Sequence, residues 1–144
     1  MMLAVTFTLL ILLGCGGAGG YLATALRCTE CPELPVLRVI DEDTLDSDLA
    51  RIRLFGIDAP ESGQSCYSEA LNRLRDLAGD TVRVESGPRL SDQYGRTLAY
   101  VYTGDGMSVD EILIREGLAR AWTGDGQHRN HLLEMEREAR RNYT

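Results

Sequence analysis

Four short alternating runs, a fifth weaker one and a helical pattern set among them predict an α+β, mainly β fold. The architecture expected is a small five-stranded barrel of the OB type with about three flanking helices. The runs are VLRVID (36–41), ARIRLFGI (50–57), TVRVES (81–86) and TLAYVYT (97–103), with a weaker segment at 44–48. Length agrees with this, because 144 residues make one domain able to bury a core without a staple. A hydrophobic content of 44% and a charged content of 26% are ordinary for a globular fold.

Taken in order, residues 1–26 carry no charged side chain, and MLAVTFTLLILL (2–13) is their apolar centre. This segment is expected to be a signal peptide or a membrane or lipid anchor, outside the fold. LLGC resembles a lipoprotein box ending at Cys15, ATA (23–25) fits a cleavage site, and the stretch is long enough to span a membrane. The protein is therefore expected to be exported, either secreted or held at the cell envelope. RCTECPELP (27–35), with two prolines, reads as a linker before a domain at 36–144. Cys28, Cys31 and Cys66 are too few for a structural zinc site, so one disulfide and one leftover thiol are expected.

In the domain, the segment at 44–48 pairs as a hairpin with the run at 50–57. Tyr67, Ala70, Leu71, Leu74 and Leu77 recur at helical spacing, which predicts a helix over 66–78 ending at Gly79. SVDE (108–111) is a capping box in which Ser108 caps and Glu111 reaches back, opening a helix that stops near Gly117. A last helix over 127–142 puts Leu132, Met135 and Ala139 on one face. Both copies of TGDG, at 103 and 123, read as turns.

The chemistry concentrates in three places. VIDEDTL (39–45) sets Asp41 and Asp43 two apart on one side of an extended chain. RLFGIDAPE (53–61) supplies Arg53, Asp58 and Glu61, and SDQYGRTLAY (91–100) brings Arg96 to the mouth of a strand. Hard divalent cations want carboxylate and carbonyl oxygens, which Asp43 and Asp58 can supply. Glu61 beside a polarised water fits a general base. Arg53 and Arg96 fit non-bridging phosphate oxygens, whose charge grows in phosphoryl transfer. Asp41 equally fits simple turn chemistry. All 15 basic residues are arginine in a chain of net charge −7. That balance argues against long nonspecific tracking along nucleic acid and leaves room for a local anion site.

VIDEDTL, RLFGIDAPE and DQYGRTLAYVY, in this order and spacing, resemble the staphylococcal (thermo)nuclease-like family. The resemblance covers about residues 36–122, and EILIREGLARAW fits that family's helix after the last strand. It implies an OB-fold barrel and a calcium-dependent phosphodiesterase acting on DNA and RNA. It further implies Asp43 and Asp58 as Ca2+ ligands, the backbone carbonyl of Ala59 as a third, and Asp41 one layer out from the ion. Glu61 would be the general base, and Arg53 and Arg96 the phosphate-binding arginines. Two places depart. Glu42 stands where the family has glycine, and a β-carbon there is strained if the turn needs positive φ. TGDGQH (123–128) stands where the family often carries tyrosines or basic residues near the substrate. Trp122 reads as a packing residue or a stacking platform, and His128 with His131 as surface or packing residues lacking a third metal ligand.

The expected partner is DNA and/or RNA, bound by a monomer, with membrane contact through the N-terminal segment. A noncatalytic OB module binding nucleic acid or another anion is the alternative. A glycoside hydrolase using Asp58 and Glu61 fits poorly, because neighbouring arginines oppose the raised acid pKa it needs.

Overall fold

The structure is a computed structural model that describes Cys15 and residues 24–143. In chain order its elements are β1 (Glu33–Asp41), β2 (Thr44–Ser47), β3 (Arg51–Leu54), β4 (Ile57–Asp58), α1 (Tyr67–Ala78), β5 (Thr81–Ser91), β6 (Thr97–Thr103), α2 (Val109–Arg115), β7 (Arg120–Ala121) and α3 (Arg129–Tyr143). Five strands close into a barrel in the order β1-β2-β3-β6-β5, and β4 with β7 form a separate two-stranded sheet. The barrel of the expected OB type and its three helices are both present.

Alternation decides the barrel's inside. In β3, Ile52 and Leu54 are buried while Arg51 is exposed and Arg53 half-buried, as a period of two requires. Leu45, Val82, Leu98 and Val101 join them in the core. Ala70 and Leu74 of α1, Leu113 of α2, and Leu132 and Met135 of α3 are buried against the same cluster. The weak segment at 44–48 is a full member, since β2 pairs antiparallel with both β1 and β3. Closure comes from the parallel pairing of β3 with β6, in which Ile52 faces Thr97 and Arg53 faces Leu98.

The run expected as one strand over 50–57 is broken, and Gly56 is the reason. Its N–H donates to Asp110 Oδ1 at 2.9 Å, and its carbonyl accepts from the Trp122 N–H at 2.9 Å. A β-carbon there would lie 2.5 Å from Leu132 Cδ1. The chain therefore leaves the barrel at Phe55 and pairs with β7 instead.

The expected boundaries also move. β1 begins at Glu33, because Glu33, Leu34 and Pro35 pair with Arg83, Val82 and Thr81, so the linker at 27–35 is partly barrel. Residues 24–26, expected outside the fold, dock on α2. Ala25 and Leu26 donate their N–H groups to the Glu111 carboxylate at 2.8 and 3.1 Å. The capping box is accordingly half formed. Ser108 Oγ accepts from the Glu111 N–H at 3.0 Å, but the hydroxyl of Thr24, not Glu111, accepts from the Ser108 N–H. Glu111 has no solvent exposure, and it also meets Arg115 and His131.

The cysteine expectation is corrected as well. Cys15 pairs with Cys66, and Cys28 with Cys31, leaving no free thiol among the described residues. The rest of the predicted signal or anchor segment lies outside the described residues, and no described helix is long and apolar enough to cross a membrane.

Candidate active site

Register alone gathers most of the site at one end of the barrel. Asp41 pairs with Thr44 across the β1–β2 turn, so Glu42 and Asp43 form its tip. Thr44 in turn faces Arg53, and Arg96 precedes Thr97, the partner of Ile52. Arg53 is the hub. Its guanidinium donates to the carbonyls of Leu54 at 2.8 Å and Ile57 at 3.0 Å, and its Nε lies 3.7 Å from Asp43 Oδ2. A single half-buried arginine thus links the β1–β2 turn to the peptide next to Asp58. The other oxygen of Asp43 accepts from the Thr44 hydroxyl at 2.7 Å.

Arg96 is held from behind by a residue the motif reading left without a role. Asp92 accepts from the Tyr94 and Arg96 N–H groups and from Arg96 Nε, the last at 2.6 Å. Burial works to raise the Asp92 carboxyl, but these donors together keep it below the usual carboxylate range. Arg96 Nη1 also reaches the Thr44 hydroxyl at 3.4 Å, so both arginines contact the β1–β2 turn region. The signal for Asp92 was present in the turn SDQYGR, since Asx side chains bond backbone two residues on.

Asp58, Ala59 and Glu61 lie on the segment leaving β4 and line a cavity of about 690 Å³ with Gln64, Cys66 and Arg120. The Glu61 carboxylate is exposed, and its backbone is fixed by a reciprocal pair with Gln64, N–H to Oε1 at 2.7 Å and N–H to carbonyl at 2.9 Å. Asp41 is not a bare turn residue. It accepts from the Tyr67 hydroxyl of α1 at 3.0 Å. Cys66, at φ 71°, is the one non-glycine residue of positive φ among those described, so Glu42 carries none of the strain its β-carbon threatened.

Glu42 instead bears an electrostatic load. Burial pushes its carboxyl up to about 7, and Asp43, Asp41 and Glu61 add to the rise against a backbone hydrogen bond that lowers it. Carboxylates crowded this far are relieved by a cation, and every donor present is a hard oxygen. Among the described residues no three His, Cys, Asp or Glu side chains form a ready-made cage. A cation would therefore take part of its ligand set from carbonyls, water or substrate, as hard cations commonly do.

Trp122 borders the site with two cations near its ring, Arg53 at 5.8 Å and Arg89 at 5.9 Å, and its Nε1–H donates to Asp125. Arg89, which also bonds Asp125, carried no signal in the sequence, where the alternating run ends at 86; β5 runs on to Ser91. The two histidines are no metal pair. His128 meets Glu85 at 2.6 Å and His131 meets Glu111, on different elements.

Known proteins place this geometry. A family model described as Staphylococcal nuclease homologue matches residues 51–144. A micrococcal nuclease of Shigella flexneri is 39% identical over 121 residues, covering 74% of this chain and 68% of that protein. An uncharacterized endonuclease of Escherichia coli O157:H7 is 40% identical over 111 residues, 73% and 70% of the two chains. A thermonuclease of Staphylococcus intermedius is 36% identical over 119 residues, 74% and 70%. A barrel closed by a parallel β3–β6 pair, three helices in the expected places and this breadth of identity converge: the chain belongs to the staphylococcal nuclease family.

Proposed function

We propose that the protein is an exported, calcium-dependent phosphodiesterase that hydrolyses DNA or RNA. The relatives, named as nucleases, support the reaction class. The observation that carries the residue roles is the position of Arg53, bonded toward both the Asp43 turn and the peptide before Asp58. Arg53 and Arg96 hold non-bridging oxygens of the scissile phosphate and offset the charge that grows there. Glu61, exposed on a braced turn, takes a proton from water as its oxygen bonds phosphorus. The P–O ester bond breaks, and the leaving oxygen is protonated from solvent. Asp43, Asp58 and the Ala59 carbonyl would hold calcium, with Asp41 fixed by Tyr67 one layer out. When bound, the ion supplies positive charge at the phosphate and water. The protein acts as a monomer.

Export is supported by two disulfides, which persist in oxidising compartments. Lipidation of Cys15 and its bond to Cys66 need the same sulfur, so the pairing favours an N-terminal segment that is kept without lipid.

The test is hydrolysis of fluorescent single-stranded DNA and RNA by the full chain in calcium, magnesium or EDTA. Calcium-dependent cleavage is expected, falling about 10²–10⁴-fold in Glu61→Gln, the usual worth of a general base. Unchanged turnover in that variant removes Glu61 from the reaction. Binding without any cleavage by the parent protein would establish the noncatalytic module, which the acidic Glu42 turn favours.

A further inference from the structure

The arginines of this chain are nearly all spoken for. Arg38 and Arg51 pair with Asp46, Arg73 with Glu116, Arg83 with Glu33, Arg89 with Asp125, and Arg137 and Arg141 with Glu134. Arg120 is different. It is exposed, its guanidinium has no carboxylate or hydrogen-bond partner among the described residues, and it sits beside the site just described. In the β4–β7 sheet it lies directly opposite Asp58, and opposite residues of an antiparallel pair share one face.

Arg120 and Asp58 both line the 690 Å³ cavity that holds Glu61, and both also line a second cavity of about 290 Å³. That second cavity continues past Trp122 to Glu136 and Arg140 of α3. The two cavities therefore flank one pair of residues, Asp58 and Arg120, which line both. Arg140 in the second cavity pairs with Glu136, whereas the Arg120 guanidinium has no carboxylate partner among the described residues and is open to an entering anion. Its planar fork suits a phosphodiester.

We infer that Arg120 binds a phosphate flanking the scissile one, so that the second cavity, from Asp58 toward Arg140, is a subsite for a continuing single strand. This inference rests on the nuclease reading and deepens it: the strand is held at more than one phosphate, by Arg53 and Arg96 at the scissile one and by Arg120 at its neighbour. A ligand with a single phosphodiester cannot fill both.

The experiment measures binding apart from cleavage. Fluorescein-labelled oligothymidylates with one and with three phosphodiesters are titrated, in calcium, onto full-length Glu61→Gln and Glu61→Gln/Arg120→Ala. The longer strand is expected to bind Glu61→Gln more tightly than the shorter. Arg120→Ala is expected to weaken it by about tenfold or more, the size of one charge-assisted contact, and so to compress the gap between the two lengths. Glu61→Gln/Arg27→Ala removes the same charge outside both cavities and keeps the gap. A gap that survives Arg120→Ala, or no gap in Glu61→Gln, overturns the subsite. Calcium-dependent cleavage by the parent chain judges the nuclease reading separately, so either can fail alone.

Discussion

Asp110 shows how much one buried side chain decides. It has no solvent exposure, and its two oxygens accept from the N–H groups of Gly56 and Val101, at 2.9 and 3.0 Å. It thereby ties α2 to the point where β3 breaks and to β6. Burial raises its carboxyl to about 6, against the lowering effect of those N–H groups and of Arg53. The native state therefore holds this proton more tightly than the unfolded chain does. Its contribution to stability is full below pH 4 and declines as pH rises from about 4 to about 6, by roughly 2–3 kcal/mol. Asparagine cannot titrate, so the stability of the native protein relative to Asp110→Asn is expected to fall by that amount between pH 4 and pH 7. Urea titrations at the two pH values check this, and a constant or rising difference would refute it. None of it was legible beforehand. In the sequence Asp110 is merely the third residue of SVDE, and its partner Gly56 is 54 residues away. That Asp43 and Arg53 lie together was legible, because the hairpin register that sets Thr44 opposite Arg53 is local.

At the scale of elements, the periodic stretches were read correctly and the long-range ones were not. β6, α1 and α3 follow their own hydrophobic spacing, and the structure moves their ends by only a residue or two. The run at 50–57 misled because alternation continues through Gly56, while the break depends on Asp110 and Leu132, which come much later in the chain. Residues 24–26 misled for the same kind of reason, since an uncharged stretch reads as leader until a buried carboxylate claims it. Glu111 needs these residues. Without the N–H groups of Ala25 and Leu26 and the hydroxyl of Thr24, its carboxylate and the Ser108 N–H lose partners at the start of α2. A chain beginning at residue 27 is therefore expected to be less stable than one beginning at residue 24, by about 1–3 kcal/mol. Both chains lack Cys15, so the Cys15–Cys66 bond does not bias the comparison. Equal urea midpoints would mean that water serves Glu111 as well as the docked backbone does.

For the whole molecule the question is how a chain of net charge −7 binds a polyanion. The answer lies in how the 15 arginines are spent. Most of those away from the site pair with acids on the same surface, as Arg38 and Arg51 do with Asp46 and Arg73 does with Glu116, so they present little outward field, and at physiological salt their reach is about 8 Å. Under the proposed function, what remains for phosphate is a small set: Arg53, Arg96 and Arg120. Contact with a strand is then short and local, unlike that of a protein with a basic track. Each phosphate neutralised on a single strand releases counterions with a slope of about −0.7, so three arginines give a logarithmic salt dependence near −2. Measured as kcat/KM on a single-stranded oligonucleotide between low and moderate salt, with calcium held saturating, the slope is expected at about that value. A slope several times steeper would require a broad cationic surface that the arginine pairing does not leave. A flat response would mean that the three arginines do not meet phosphate, and the acidic balance of the chain would then have to be explained by a different ligand.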